Sequence, residues 1–180
     1  STFSYDALSR RVAATYADGT TASFAYNAVG HLVQASDSVG GIILNVYDAM
    51  DRLIARQSNL GTITYQYDSL GRRTRTDVPG QASVFYGYDA ASRLVQIAQG
   101  TQTVGLQYDA LGRRTRLTLP NGVSTEYQYD AASRLTALIY RNALGPLGDL
   151  AYEYDAAGKR TRVGGSFART MLPGAVSAAT

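Results

Sequence analysis

A Tyr-Asp pair recurs along this chain at nearly constant spacing, and this repeat limits the possible folds more than any other feature. The pairs are Tyr5-Asp6, Tyr47-Asp48, Tyr67-Asp68, Tyr88-Asp89, Tyr108-Asp109, Tyr129-Asp130 and Tyr154-Asp155, and Tyr26-Asn27 is an eighth, altered copy. The intervals between the tyrosines are 21, 21, 20, 21, 20, 21 and 25 residues. A fixed period of this size is typical of an array built from one small supersecondary unit.

Three other positions of the repeat have a constant chemical character. Five residues after each tyrosine stands a base: Arg10, His31, Arg52, Arg72, Arg93, Arg113, Arg134 or Lys159. Seven residues after it stands a β-branched residue: Val12, Val33, Ile54, Thr74, Val95, Thr115, Thr136 or Thr161. Two residues before it, six copies have an aromatic residue: Phe3, Phe24, Tyr65, Tyr86, Tyr127 and Tyr152. This spacing indicates strands, and the aspartate begins a turn in which its carboxylate can bind backbone amides.

Each repeat is therefore predicted to be two short antiparallel strands. The eight units predict an all-β protein, a long antiparallel strip of hairpins over residues 1–163, followed by a connector over residues 164–180. Before the turn, Val104, Leu106 and Tyr108 should share one face. After the turn we expect the same strict alternation, with Leu94 and Gln96 opposite to Val95 and Ile97. The sheet should thus have one tyrosine-rich, aliphatic face and one face of small or polar residues.

A longer period of 41 residues is superimposed on the repeat. The unit that begins at Tyr67 resembles the one that begins at Tyr108, and the unit that begins at Tyr88 resembles the one that begins at Tyr129. The alternative architecture is therefore a β-propeller, whose four-stranded blades have about 40–45 residues. The long last interval predicts an extended loop over residues 142–148. A continuous strip must twist and curl, and a curling strip with one aromatic face tends to enclose a space.

The composition excludes some classes of function. The chain has no cysteine, so disulfides and zinc-thiolate sites are absent. Its net charge is +3 and its pI about 9.2, but the bases occupy a repeat position beside Tyr and Asp instead of forming a Lys-rich run, which argues against nucleic acid. No stretch is long and apolar enough to span a membrane, and no signal peptide is recognised. Because Ser1 lies in the middle of a repeat, we expect a piece of a longer chain.

Catalysis is not expected. His31 is the only histidine and occupies the basic position, so it is interpreted as a substitute for arginine instead of a general base. Metal-binding loops, phosphate-binding loops and cofactors are not predicted. The Tyr-Asp pairs are interpreted as structural, since a residue present in almost every unit serves the unit. Tyr65, Tyr86, Tyr127 and Tyr152 are the candidates for ligand-facing aromatic residues.

The phrase Tyr65-Gln66-Tyr67-Asp68-Ser69-Leu70-Gly71-Arg72 resembles the Rhs/YD-repeat family, which includes Rhs polymorphic toxins, C components of insecticidal toxin complexes, wall-associated proteins and teneurins. The resemblance covers residues 1–163. It implies a β-strip that spirals into a hollow shell around a C-terminal toxin, in proteins that are often exported by type VI secretion or as toxin-complex subunits. The aspartyl self-cleavage segment that usually ends the bacterial repeat core is not recognised here.

The expected function is therefore a non-catalytic wall segment of a shell that encloses a toxin or other polypeptide cargo. Its expected partners are that cargo, other segments of the same shell and a secretion-apparatus protein, and its expected location is outside the cell or on the cell surface. The alternative is an extracellular adhesion or carbohydrate-binding module that uses exposed tyrosines.

Overall fold

The computed structural model describes residues 1–168, and almost all of the regular structure in that part of the chain is β-strand. The strands are β1 Thr2–Tyr5, β2 Arg11–Thr15, β3 Thr21–Tyr26, β4 Leu32–Asp37, β5 Gly41–Tyr47, β6 Leu53–Ser58, β7 Gly61–Tyr67, β8 Arg73–Asp77, β9 Val84–Tyr88, β10 Leu94–Gln99, β11 Gln102–Tyr108, β12 Arg114–Thr118, β13 Ser124–Tyr129, β14 Leu135–Asn142, β15 Gly145–Tyr154 and β16 Arg160–Gly164. They form one sheet in sequence order. The predicted all-β strip of hairpins is confirmed, and the propeller alternative is wrong because its strands would be divided among separate four-stranded sheets.

The chain divides into a first compact unit that ends at Phe85 and a second that begins at Tyr86. In the first unit, cross-strand pairing joins β1 to β2 and continues to β9. In the second, pairing is continuous from β10 to β16. Each pair of neighbouring strands is antiparallel and joined by a short connection, so local contacts build each unit.

The turn inside each repeat is a three-residue loop whose last residue is left-handed. In the hairpin of β11 and β12, Gly112 N donates to Asp109 O at 3.0 Å, and Asp109 N donates to Arg113 O at 2.9 Å. Gly112 has a φ of 78°, which glycine adopts without steric cost. The equivalent position has positive φ in all eight repeats, and it is Gly in four and Ser9, Asp51, Ser92 or Ser133 in the others.

Beyond the turn, the hairpins of seven repeats have a β-bulge at the β-branched position. In β11 and β12, Gln107 pairs with Arg116 and Tyr108 with Arg114, so Thr115 has no partner. The same shift skips Val12, Val33, Ile54, Thr74, Thr136 and Thr161. Strict alternation after the turn is therefore wrong in these seven repeats, because two residues oppose one tyrosine. A bulge also increases the local twist of the strands.

The extended loop predicted over residues 142–148 is also wrong. Asn142 pairs with Gly145 across a two-residue turn, and β14 and β15 continue through this segment. The additional residues lengthen these strands to 8 and 10 residues, and their backbone groups pair across the two strands. A second bulge lies between Tyr140 and Arg141.

The cross-strand register places the tyrosines of each unit on one face of its sheet, which we call the tyrosine face. In the first unit, Phe3 pairs with Ala14, and Ala14 with Ala22, which precedes Phe24 by two residues. In the second unit, Leu106 pairs with Leu117 and Leu117 with Thr125. Thr125 precedes Tyr127 by two residues. Within residues 1–168 the only buried hydrophobic residues are Ala14 and Leu106. Most of the apolar surface of each unit is thus only partly covered.

Candidate functional site: the tyrosine–arginine ladder

The aspartate of each repeat organises its own turn through both carboxylate oxygens. Asp109 Oδ1 accepts hydrogen bonds from Leu111 N at 3.0 Å and Arg113 N at 2.9 Å, while Oδ2 accepts one from Arg113 Nε at 2.7 Å. The side chains of this pair are 22% and 26% exposed, so both are half-buried. The carboxylate therefore fixes the turn and aims the guanidinium of Arg113 away from its own strand.

Contacts of this kind lower the pKa of Asp89 and Asp130 below the ordinary value of 3.8. For Asp130 the largest cause is the hydrogen bond from Arg134 N, followed in the same direction by the hydrogen bond from the Arg134 side chain, while partial desolvation opposes both. Hydrogen bonds donated to the ionised form favour that form. These two aspartates are therefore charged acceptors throughout the physiological pH range.

Consecutive repeats are locked together by the same arginine and by the tyrosine of the next repeat. Arg113 Cζ lies 4.6 Å from the centroid of the Tyr129 ring, and Tyr129 Oη donates to Arg114 O at 2.9 Å. Arg113 Nη1 also donates to Ser133 Oγ at 3.0 Å. One side chain thus combines an ion pair in its own turn with a cation–π contact and a hydrogen bond to the next turn.

We call this recurring set of contacts the tyrosine–arginine ladder. The ring contacts are Arg10 over Tyr26, Arg52 over Tyr67, Arg93 over Tyr108, Arg113 over Tyr129 and Arg134 over Tyr154, with distances from Cζ to the centroid between 4.6 and 5.0 Å. The tyrosine hydroxyl in each case donates to the residue that follows the arginine, at 2.8 to 3.0 Å. Each such contact connects one repeat to its neighbour.

The second repeat departs from this pattern, because Asn27 and His31 replace the aspartate and the arginine. Asn27 Oδ1 still accepts a hydrogen bond from His31 N at 2.8 Å, and the His31 ring stacks on Tyr47 at 4.6 Å. His31 Nδ1 is buried without a hydrogen bond and lies 3.7 Å from Asp51 Oδ1. The preceding Arg10 has a buried Nη1 with no acceptor. This repeat therefore keeps the ring contact of the ladder but lacks its ion pair.

The structure places the remaining members of the predicted structural set at equivalent positions. Tyr5, Tyr88 and Tyr154 end strands β1, β9 and β15, and Asp6, Asp48, Asp68 and Asp89 each bind the side chain of their turn arginine at 2.7 to 2.8 Å. Asp155 accepts a hydrogen bond from Lys159 N at 2.8 Å. The predicted set is thus distributed one copy per turn along the sheet instead of converging on one centre.

The candidate ligand-facing tyrosines are half-buried on the tyrosine face. A guanidinium already lies over the rings of Tyr65, Tyr127 and Tyr152, from Arg73 at 4.5 Å, Arg114 at 5.7 Å and Arg160 at 5.5 Å. Tyr86 also takes part in a contact. One ring face is therefore occupied where a sugar would stack, and carbohydrate binding remains a prediction.

Sequence reasoning missed the arginines that lie over these tyrosines, namely Arg73, Arg114 and Arg160. They follow the turn base directly, and the sequence signal that marks them is the doublet of bases at residues 10–11, 72–73, 113–114 and 159–160. In the described part of the chain no group of three or more potential metal ligands is found. Within the same residues, no helix is long and apolar enough to cross a bilayer.

Together, the repeated hairpin, the recurring bulge and the ladder define a β-repeat protein. Side-chain contacts between turn arginines and the tyrosines of the next repeat join its neighbouring repeats. The chain belongs to the RHS Repeat family, which matches residues 47–83, 88–123 and 108–144, more than half of its length. This confirms the resemblance to Rhs/YD repeats. No curated protein sequence matches the chain significantly.

Solved structures of toxin complexes have a similar fold. The TcdB2-TccC3-Cdc42 structure matches with a TM-score of 0.55 at 17% identity, and TcdB2-TccC3-TEV with 0.53 at 15%. The Tc holotoxin pore of Photorhabdus luminescens matches with a TM-score of 0.51 at 15% identity. In all three, the match covers 91% of this chain and 11% of the other chain. The present chain thus corresponds to about a tenth of those proteins.

Proposed function

We propose that this chain is a structural wall segment of an RHS-repeat shell, and that the shell encloses a toxin or another polypeptide cargo for export. The observation that carries the proposal is the ladder, which repeats the same contacts between neighbouring hairpins. Such a design extends a sheet by identical increments, which suits a wall of any required length. The similarity in fold to TcdB2-TccC3 toxin complexes supports the same assignment.

The distribution of side chains supports a structural role over a catalytic one. The ionised aspartates and arginines of the turns are engaged with each other and with neighbouring repeats. His31 is stacked on Tyr47 and occupies a position that is basic in every other repeat. The wall would act by exclusion, since a cargo inside it is separated from the producing cell until delivery, whether through type VI secretion or as a toxin-complex subunit.

Protease protection of the longer protein that carries this segment tests the proposal. We expect proteinase K to leave the enclosed cargo intact under native conditions and to degrade it after the shell is opened with denaturant. Cryo-electron microscopy of the same preparation should show an internal space with cargo density. A solid particle, or a cargo cleaved as rapidly as the isolated cargo domain, would refute the shell.

A double variant with Arg93→Ala and Tyr108→Phe provides the matched comparison. It removes one junction of the ladder and should increase the rate of cargo cleavage. Arg162→Ala changes an exposed arginine of β16 whose ion pair with Glu153 has both side chains more than 60% exposed. This control should leave the cleavage rate unchanged, because exposed ion pairs contribute little to stability.

A further inference from the structure

The charged residues of the strands are distributed unequally between the two faces. On the tyrosine face the cross-strand register places five arginines and a single carboxylate, Asp37. These arginines are Arg11, Arg56 and Arg73 in the first unit and Arg114 and Arg160 in the second. On the opposite face the strands carry four arginines and four carboxylates, namely Arg75, Arg116, Arg141, Arg162, Asp77, Glu126, Asp149 and Glu153.

The two groups of arginines also differ in their contacts. On the opposite face, Arg75 pairs with Asp77 at 2.8 Å, Arg141 with Glu126 at 3.1 Å and Arg162 with Glu153 at 3.0 Å. All five arginines of the tyrosine face are exposed. Within residues 1–168, Arg11, Arg56, Arg114 and Arg160 form no ion pair with a carboxylate. The positive charge that the strands carry in excess therefore lies on the tyrosine face.

Aromatic rings hold several of these guanidiniums in place. Arg11 Cζ lies 4.8 Å from the Phe24 ring centroid, and Arg73 Cζ lies 4.5 Å from that of Tyr65. Stacking on a ring leaves the N–H groups at the edge of the guanidinium directed away from it, where they can bind both oxygens of a carboxylate. The less covered apolar residues of the same face, such as Ile43 at 40% exposure, provide contacts for apolar side chains between the charges.

We infer that the tyrosine face binds an acidic polypeptide segment, through carboxylates on its exposed arginines and apolar side chains between them. This inference rests on the proposed function, because in a shell that segment would belong to the cargo. Single-stranded nucleic acid suits the face less well, since it needs exposed rings on which bases stack, and a guanidinium already covers the ring in Tyr65, Tyr127 and Tyr152. Duplex DNA requires a denser row of cations.

Fluorescence anisotropy with the full chain tests the inference, with a labelled oligoglutamate and an oligodeoxythymidylate of equal charge as probes. We expect oligoglutamate to bind more tightly than the oligonucleotide, and its affinity to fall as salt is added. Three glutamine substitutions on the tyrosine face should weaken binding roughly tenfold, at about twofold to threefold for each exposed charge. These substitutions are Arg11→Gln, Arg56→Gln and Arg73→Gln.

The matched control removes the same net charge from the opposite face, through Arg75→Gln, Arg141→Gln and Arg162→Gln. It should retain the affinity of the unmodified chain. A variant with lysine at the three positions of the tyrosine face should bind with an affinity between those of the glutamine variant and the unmodified chain, because lysine keeps the charge but not the fork. Circular dichroism establishes that each variant has kept its β-structure. No binding of oligoglutamate, an equal loss in the control, or tighter binding of the oligonucleotide would overturn the inference. Because this titration requires no shell, a negative result here with intact protease protection would reject only the acidic partner.

Discussion

Arg93 and Asp109 belong to consecutive repeats, and Arg93 Nη1 donates a hydrogen bond of 2.9 Å to the backbone carbonyl of Asp109. The same guanidinium pairs with Asp89 in its own turn at 2.7 Å and lies 5.0 Å from the Tyr108 ring centroid. Only a planar, forked cation can make these contacts simultaneously. This explains why arginine, and not lysine, occupies this position in six of the eight repeats.

Replacement of Arg93 by alanine should destabilise the junction of its two repeats by about 1–2 kcal/mol, the sum of one cation–π contact and one net hydrogen bond. Arg93→Lys should lose roughly half of that amount, because it keeps the charge but not the fork. Urea denaturation and hydrogen exchange of amides in β10 and β11 would measure the effect. Equal stability of the lysine variant and the unmodified chain would contradict this account of the ladder.

Removal of the Tyr108 hydroxyl should cost about 1 kcal/mol, because Tyr108→Phe abolishes the hydrogen bond from Tyr108 Oη to Leu94 O at 2.8 Å while the ring and its cation–π contact remain. Tyr16→Phe is a suitable control, since Tyr16 lies in a loop and is 39% exposed. Faster amide exchange confined to strands β9 to β12 is the expected result. An unchanged exchange pattern would mean that this hydroxyl is equally well satisfied by water.

The left-handed position of the turn predicts two substitutions of opposite effect. Gly112→Ala should destabilise the chain by about 1 kcal/mol, because its φ of 78° is costly for a residue with a Cβ. Ser9→Gly should stabilise it by about 0.3–1 kcal/mol, since Ser9 has a φ of 60°, which is costly for a residue with a Cβ. Thermal unfolding of the two variants measures both effects, and a change of the same sign in both would contradict the prediction.

Acid should weaken the turns. The pKa of Asp130 in the folded chain is lower than its ordinary value of 3.8, so the unfolded chain binds more protons in the acid range. The contribution of this carboxylate to stability is therefore complete above pH 3.8 and is lost as the pH falls below that value, through the pKa of the folded state. Asp130→Asn should flatten the acid limb of a stability-versus-pH curve, whereas an unchanged limb would exclude Asp130 as a contributor.

Restoring the repeat consensus at the altered copy should stabilise the chain. Asn27→Asp with His31→Arg recreates the ion pair of the other turns and places a guanidinium over Tyr47, for an expected gain of about 0.5–1 kcal/mol. His31→Gln, which supplies neither a cation nor a ring, should instead lose stability through the missing contact with Tyr47. Urea midpoints of the two variants should lie on opposite sides of that of the unmodified chain.

The sequence predicts the hairpin array well because the Tyr-Asp spacing and the period-two pattern are local signals. It does not predict the bulge at Thr115, since a β-branched residue suits a regular strand as well as a bulge. The prediction of a loop over residues 142–148 is wrong for a related reason: its Gly and Pro residues resemble turn signals, yet Pro146 is accommodated at a bulge of β15. Strand pairing decides both cases, and pairing is not visible in one segment alone.

The candidate site is less predictable than the fold. The positions of Arg113 and Tyr129 can be read from the sequence, but their contact joins different repeats, and only the register of β12 and β13 brings them together. The excess of arginines on the tyrosine face cannot be read from the sequence for the same reason. Arg114 and Arg116 are two residues apart, and the bulge at Thr115 places them on opposite faces.

The ladder joins each hairpin only to those beside it, as in the contact between Arg113 and Tyr129. Duplication or deletion of one whole repeat within a gene would therefore leave every other junction with its normal partners, whereas a partial deletion would break the pairing on both sides. Unequal recombination between two repeats can thus change the number of strands in a single event without loss of the fold.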